Sequence, residues 1–186
     1  MNRFTSVFER VVTELDRRAI DHVVVGSIAA SCWGLVRSTQ DIDLVVVVDP
    51  DEPTDLVLAL ESTGLYVPRS AAEAALASTG SFNILDPNTA GKVDIFVCAS
   101  NDEFESMRLH RRVRAEILGV PAWVATPEDI VLSKLRWRTD SGSETQWRDC
   151  IELASINDLD LEHLRRWATA LGLAADLEAL LTSLPE

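Results

Sequence analysis

The run VVVGSIAASCWGLVRSTQDIDLVVVVD, residues 23–49, limits what this chain can fold into more than any other stretch. It reads as an apolar strand, a Gly26-Ser27 turn, a short helix, and a second strand entered through Asp41-Ile42-Asp43. Side chains alternate across a strand, so Asp41 and Asp43 share one face and Ile42 takes the other. Two carboxylates that close together repel unless a cation lies between them. Mg²⁺ suits the position, with Mn²⁺ as the alternative, because such ions take hard oxygen ligands and also grip phosphate oxygens. The turn offers bare backbone at Gly26, a hydroxyl at Ser27 and the start of a helix, which are the groups that bind phosphate. A phosphate cradle and metal carboxylates one helix apart imply nucleotide chemistry.

A third acid fits the same pattern. KVDIFVCA, residues 92–99, is a strand by its β-branched and aromatic content. Asp94 interrupts this apolar run, with Lys92 on the same face. A buried, unpaired charge is costly, so Asp94 needs a reason. Beside Asp41 and Asp43 it completes a two-metal site, in which one ion activates the attacking oxygen and the other holds the triphosphate and leaving group. A plain salt bridge to Lys92 is the competing explanation.

The punctuation sets the remaining elements. Helices are expected over residues 5–18, 27–34, 51–63 and 70–78, with Gly64 ending the third. Strands are expected over 21–25, 41–48 and 65–68, as a pair within 81–97, and as a second pair at 112–118 and 122–124. Thr126-Pro127-Glu128-Asp129 opens a helix: a capping hydroxyl, proline in the first turn, then acids at the positive end of the dipole. From there the chain reads as helical, with breaks at 139–143 and 157–158.

Composition removes several classes of function. With 186 residues and 47% hydrophobic content the chain buries a real core. No apolar run reaches bilayer length, so no membrane association is expected. The charged N-terminus is unlike a secretory signal. Cys32, Cys98 and Cys150 are scattered and odd in number, which points to a reducing cytoplasm. A net charge of −13 excludes a general nucleic-acid binder. It leaves room for local basic sites, and two clusters stand out: Arg108, His110, Arg111, Arg112 and Arg114, then Lys134, Arg136 and Arg138 with Arg148 beyond. At a cleft rim they would hold RNA or triphosphate; a half-exposed strand explains RRVRAEIL equally well. The five tryptophans are read as core or interface anchors.

Gly26-Ser27, Asp41-x-Asp43 at a strand entrance and Asp94 on a later strand together resemble the polymerase-beta-type nucleotidyltransferase superfamily, over roughly residues 20–150. With Arg37-Ser-Thr39-Gln before the acids, the chain looks most like the AbiEii-type nucleotidyltransferases, toxin halves of bacterial toxin–antitoxin pairs. ATPEDIVLSKLRWR and Trp147-Arg148-Asp149 are similar to the lysine and Arg-Asp motifs of that group. The resemblance implies an α/β (α+β) fold: a polymerase-beta-like core with a mixed sheet flanked by helices, plus a small C-terminal helical part. Residues 1–125 would form the core and 126–186 the helical region packed on it. By the same analogy Lys134 contacts the nucleotide phosphates and Asp149 helps complete the active site. Gly26, Ser27, Arg37 and Thr39 would bind nucleotide; Asp41, Asp43 and Asp94 would hold two Mg²⁺. The expected reaction moves an NMP from an NTP to a hydroxyl, with the tRNA 3′ end as acceptor and a cognate antitoxin protein as partner. A partner protein or an aminoglycoside-like small molecule remains open as acceptor, and a non-catalytic binding partner is the alternative of another class.

Overall fold

Valine-rich segments build the centre of the molecule. In the computed structural model, which describes residues 3–37, 41–49 and 54–184, β1 (Asp21–Val25) lies antiparallel to β2 (Ile42–Val48), with Val24 opposite Leu44 and Val25 opposite Asp43. β3 (Gly80–Leu85) and β4 (Lys92–Ala99) form an antiparallel pair, and β4 runs parallel to β2. β5 (Val113–Ile117) and β6 (Val120–Val124) form a second hairpin, attached through β6 in parallel to β1. The result is one mixed six-stranded sheet in the order β3-β4-β2-β1-β6-β5.

Helices cover the sheet for the reason their spacing announces. α1 (Arg3–Arg17) buries Val7, Phe8, Val11, Val12 and Leu15, positions that repeat every three or four residues. Burial of such side chains contributes roughly 1.5–3 kcal/mol each for the larger ones. α6 (Pro127–Ser141) is set by its ends: Thr126 Oγ1 accepts from the Asp129 amide, Pro127 occupies the first turn, and Gly142 stops it in a left-handed conformation. Ile130, Val131, Leu132 and Leu135 bury α6 against α2 (Gly26–Ser31), α7 (Glu144–Ile156) and α8 (Leu161–Ala170). α9 (Ala174–Thr182) closes the C-terminal side, packing on α7 and α8.

Several boundaries differ from the sequence expectations. α2 ends at Ser31 and gives way to turns, where a helix to residue 34 was expected. α3 is Leu56–Ser62; residues 51–53 of the expected helix lie outside the described residues. The strand expected at 65–68 is a single bridge between Tyr66 and Leu85, because Pro68 leads directly into α4 (Arg69–Ser78). α5 (Glu103–Arg111) was not anticipated, although its signal is present: the Asp102 side chain accepts from the Glu105 amide, and acid three residues after a capping acid marks a helix start.

α5 also decides the fate of the arginine cluster. Arg108, itself buried, bonds Ser133 at 2.9 Å and pairs with buried Glu105. Arg111 reaches Glu128 on α6, and Arg112 bonds Asp21 and the His22 carbonyl. Arg112 and Arg114 lie over the Trp123 ring at 4.9 and 4.7 Å. These arginines fasten α5 and β5 to the rest of the molecule.

Candidate active site

The site is assembled by sheet register. Val25 of β1 lies opposite Asp43 of β2, Asp43 opposite Asp94 of β4, and Asp94 opposite Asn83 of β3. Four side-by-side strands thus place the glycine-serine turn, two acids and an amide in one row. A cleft of about 410 Å³ opens over it, lined by Gly26, Ser27, Asp41, Asp43, Asp94 and Lys134 among others. Six of the residues singled out in the sequence therefore meet in one place.

Gly26 makes this convergence possible. Its φ of +68° suits glycine, and a Cβ there would stand 2.1 Å from Asp43 Oδ2. Backbone and carboxylate touch because nothing lies between them. α2 has only six residues, so the phosphate-binding capacity of the turn resides in local N–H groups and the Ser27 hydroxyl rather than in a long helix dipole.

Negative charge is concentrated here. Asp43 is half-buried, and its carboxyl is pushed up to about 6, first by burial and then by the Asp94 and Asp41 carboxylates. Lys92 Nζ bridges the other two acids, 3.1 Å from Asp41 and 2.8 Å from Asp94, and its own pKa is raised, chiefly by the Asp94 hydrogen bond. Among the described residues no three acidic, histidine or cysteine side chains converge closely enough to form a ready-made ion site. The chemistry of the donors nevertheless fits a hard divalent ion: they are all carboxylate oxygens, they carry uncompensated charge at Asp43, and a cation already joins two of them.

Lys134 is buried, so it is not a surface lysine that merely snorkels. Its ammonium donates to Gln146 at 2.9 Å and to Asp149 at 2.7 Å. The same Asp149 oxygen accepts from Arg37 at 2.8 Å. Asp149 and Arg37 sit behind Lys134 and are not among the cleft-lining residues. Thr39 lies outside the described residues. Gln146, Phe96 and Trp137 escaped the sequence reading. Trp137, 59% exposed, lines the cleft rather than serving as a core anchor. A signal existed for two of them: Phe96 follows Asp94 by two residues on a strand, and Trp137 follows Lys134 by three on a helix. Gln146 approaches through the α6–α7 turn and had none.

A glycine-serine turn, strand acids in register and a facing lysine define a nucleotidyltransferase. The chain belongs to the family described as nucleotidyltransferase of unknown function (DUF6036), whose model matches residues 2–178. Among solved structures it is similar to an antigenic nucleotidyltransferase-like protein from Paracoccidioides brasiliensis, at 20% identity over 99% of this chain and 94% of that one, with a TM-score of 0.56. It is also similar to the antibiotic-resistance factor ANT(2″)-Ia, at 16% identity over 96% and 93%, TM-score 0.54. A third is the lincosamide antibiotic adenylyltransferase LnuA, at 15% identity over 84% and 100%, TM-score 0.53. No curated protein matches the sequence. The expected mixed α/β nucleotidyltransferase fold is present. Among the described residues no helix is long and apolar enough to cross a membrane.

Proposed function

We propose that this chain catalyses metal-dependent transfer of a nucleoside monophosphate from a triphosphate to the hydroxyl of a small molecule. The observation that carries the reading is the row Gly26–Asp43–Asp94 with Lys134 facing it across one cleft. Gly26 and Ser27 hold the β and γ phosphates, and Lys134, kept in place by Asp149 and Gln146, balances their charge. Arg37 steadies Asp149 from behind. Asp41, Asp43 and Asp94 would hold two Mg²⁺ or Mn²⁺ ions, which when bound supply charge withdrawal from the phosphate oxygens. The acceptor oxygen bonds to the α phosphorus, and the bond from that phosphorus to the oxygen bridging to the β phosphate breaks. Pyrophosphate departs with the electron pair, and the hydroxyl proton passes to Asp94. Positioning and electrostatics do most of the work.

The tRNA acceptor and antitoxin partner implied by AbiEii-type resemblance find less support. Arg108, Arg111 and Arg112, which would grip RNA, are spent on internal partners. ANT(2″)-Ia and LnuA, by their names, concern antibiotics, and that agrees with a small acceptor. The reading is tested with triphosphates labelled at the α phosphorus: the parent transfers label in Mg²⁺, and the D41N/D43N double variant, still folded by circular dichroism, does not. Equal transfer by the variant defeats the assignment.

A further inference from the structure

The row of opposed residues also fixes which side of the site receives the acceptor. Displacement at phosphorus is in-line, so the attacking oxygen arrives opposite the departing pyrophosphate. Gly26 and Ser27, which hold the leaving phosphates, stand at the end of β1. From there the row passes Asp43 on β2 and Asp94 on β4 and ends at Asn83 on the edge strand β3. Three strand spacings separate its ends, about 14 Å. The acceptor must come from the β3 end.

That end is built as a groove. Asp94 and Phe96 line the catalytic cleft and also an adjoining depression over β3, together with Ser81, Asn83, Pro68 and Ala71. Ser81 lies opposite Phe96 and Asn83 opposite Asp94, so all four side chains share the open face of the sheet. Phe96 is 39% exposed in the middle of a strand whose neighbours Ile95 and Val97 are buried. Neither Ser81 nor Asn83 uses its side chain in a hydrogen bond to another described residue. Of these six residues only Asp94 is charged.

Resting on the nucleotidyl-transfer reading, we propose that Phe96, Asn83 and Ser81 are the acceptor subsite, and that the acceptor is a small uncharged hydroxyl compound of the glycoside kind. A sugar ring has apolar C–H faces and a rim of hydroxyls. Its face packs on Phe96, and its rim bonds the Asn83 amide and the Ser81 hydroxyl. One hydroxyl is then directed at Asp94, which takes its proton as the oxygen bonds to the α phosphorus. An RNA strand needs cations along its backbone; among the described residues the groove's lining holds none, and neighbouring Lys92 is taken up by Asp41 and Asp94. A polycationic acceptor needs several carboxylates, and the groove offers one.

The test uses the intact chain with ATP, GTP, CTP and UTP labelled at the α phosphorus, Mg²⁺, and five acceptors: methyl glucoside, octyl glucoside, lincomycin, tobramycin and total tRNA. Label is expected on methyl glucoside or octyl glucoside; label only on lincomycin, whose tertiary amine is protonated near neutral pH, overturns the uncharged acceptor. F96A and N83A should each raise the KM for that acceptor about tenfold, with triphosphate affinity by calorimetry unchanged. Because both side chains are exposed, Asn83 on the edge strand β3 and Phe96 on the open face of β4, their loss leaves the fold intact. Label on tRNA or only on tobramycin overturns the proposal, as do unaltered acceptor kinetics in both variants. Bound triphosphate with none of the small acceptors labelled overturns it as well. Failure of the parent to bind any triphosphate would instead bring down the underlying nucleotidyltransferase reading.

Discussion

Gly26 and Gly142 form a natural matched pair for measuring what the site demands of its backbone. Their φ angles are +68° and +69°, so alanine at either pays the same left-handed backbone cost of about 1 kcal/mol. They differ in what a Cβ meets. At Gly142 nothing lies within 4 Å; at Gly26 the Asp43 Oδ2, Cγ and Cβ atoms lie at 2.1, 3.0 and 3.2 Å. The nearest atom is the tip of a side chain, so the clash is relieved by rotating Asp43 away, at about 1 kcal/mol for an off-rotamer side chain. G26A is thus expected to lose about 2 kcal/mol and G142A about 1 kcal/mol in urea melts. Function should separate them far more. Misplacing a reacting group by about 1 Å costs on the order of 100-fold in rate, so G26A should lose at least that in nucleotide transfer while G142A keeps the parental rate. Parental transfer by G26A, or equal losses in the two variants, would refute the close approach of backbone to Asp43 as the organising contact.

Two further outcomes follow from the same geometry. Asp43 titrates near 6 in the folded chain against 3.8 for the free group. The folded state therefore keeps a proton that the unfolded chain has lost between those values, and stability falls as pH rises through that window. Two units correspond to at most about 3 kcal/mol, so in EDTA at pH 8 D43N should be more stable than the parent by about 1–3 kcal/mol, with the gap closing by pH 4; a pH-independent gap would contradict the buried charge. D149A strips buried Lys134 of its carboxylate and leaves Arg37 unpaired. It should cost about 3 kcal/mol in urea melts and weaken triphosphate binding in calorimetry, whereas unchanged affinity would show that Asp149 does not position the lysine.

Alternation carried much of the site into view from the primary structure. Period-two reasoning put Asp41 with Asp43 and Lys92 with Asp94; in the structure Lys92 bonds both Asp94 and Asp41, and Asp43 lies in register with Asp94. Capping chemistry at Thr126 placed the start of α6 to the residue, whereas its end at Ser141 lies inside the expected break at 139–143. The same rule marks the start of α5, where the Asp102 side chain accepts from the Glu105 amide. The basic cluster stays open in the sequence because the sign of a charge is local, but whether it faces solvent or an internal acid depends on residues such as Glu128 and Asp21 on other elements.

Local pattern, then, located the six strands of the sheet, though it added one at 65–68 that is a single bridge, and marked where the turn needs glycine and which acids share a face, since these follow from steric and side-chain periodicity over a few residues. Only packing of distant segments could decide the rest. Strand order set β4 beside β2 and so Asp94 opposite Asp43. The α6–α7 turn brought Gln146 and Asp149 to the Lys134 ammonium. Lys92 came to join Asp41 to Asp94, although Asp41 lies 51 residues earlier. Such contacts join residues 12 to 51 positions apart, and no short-range preference of the backbone specifies them.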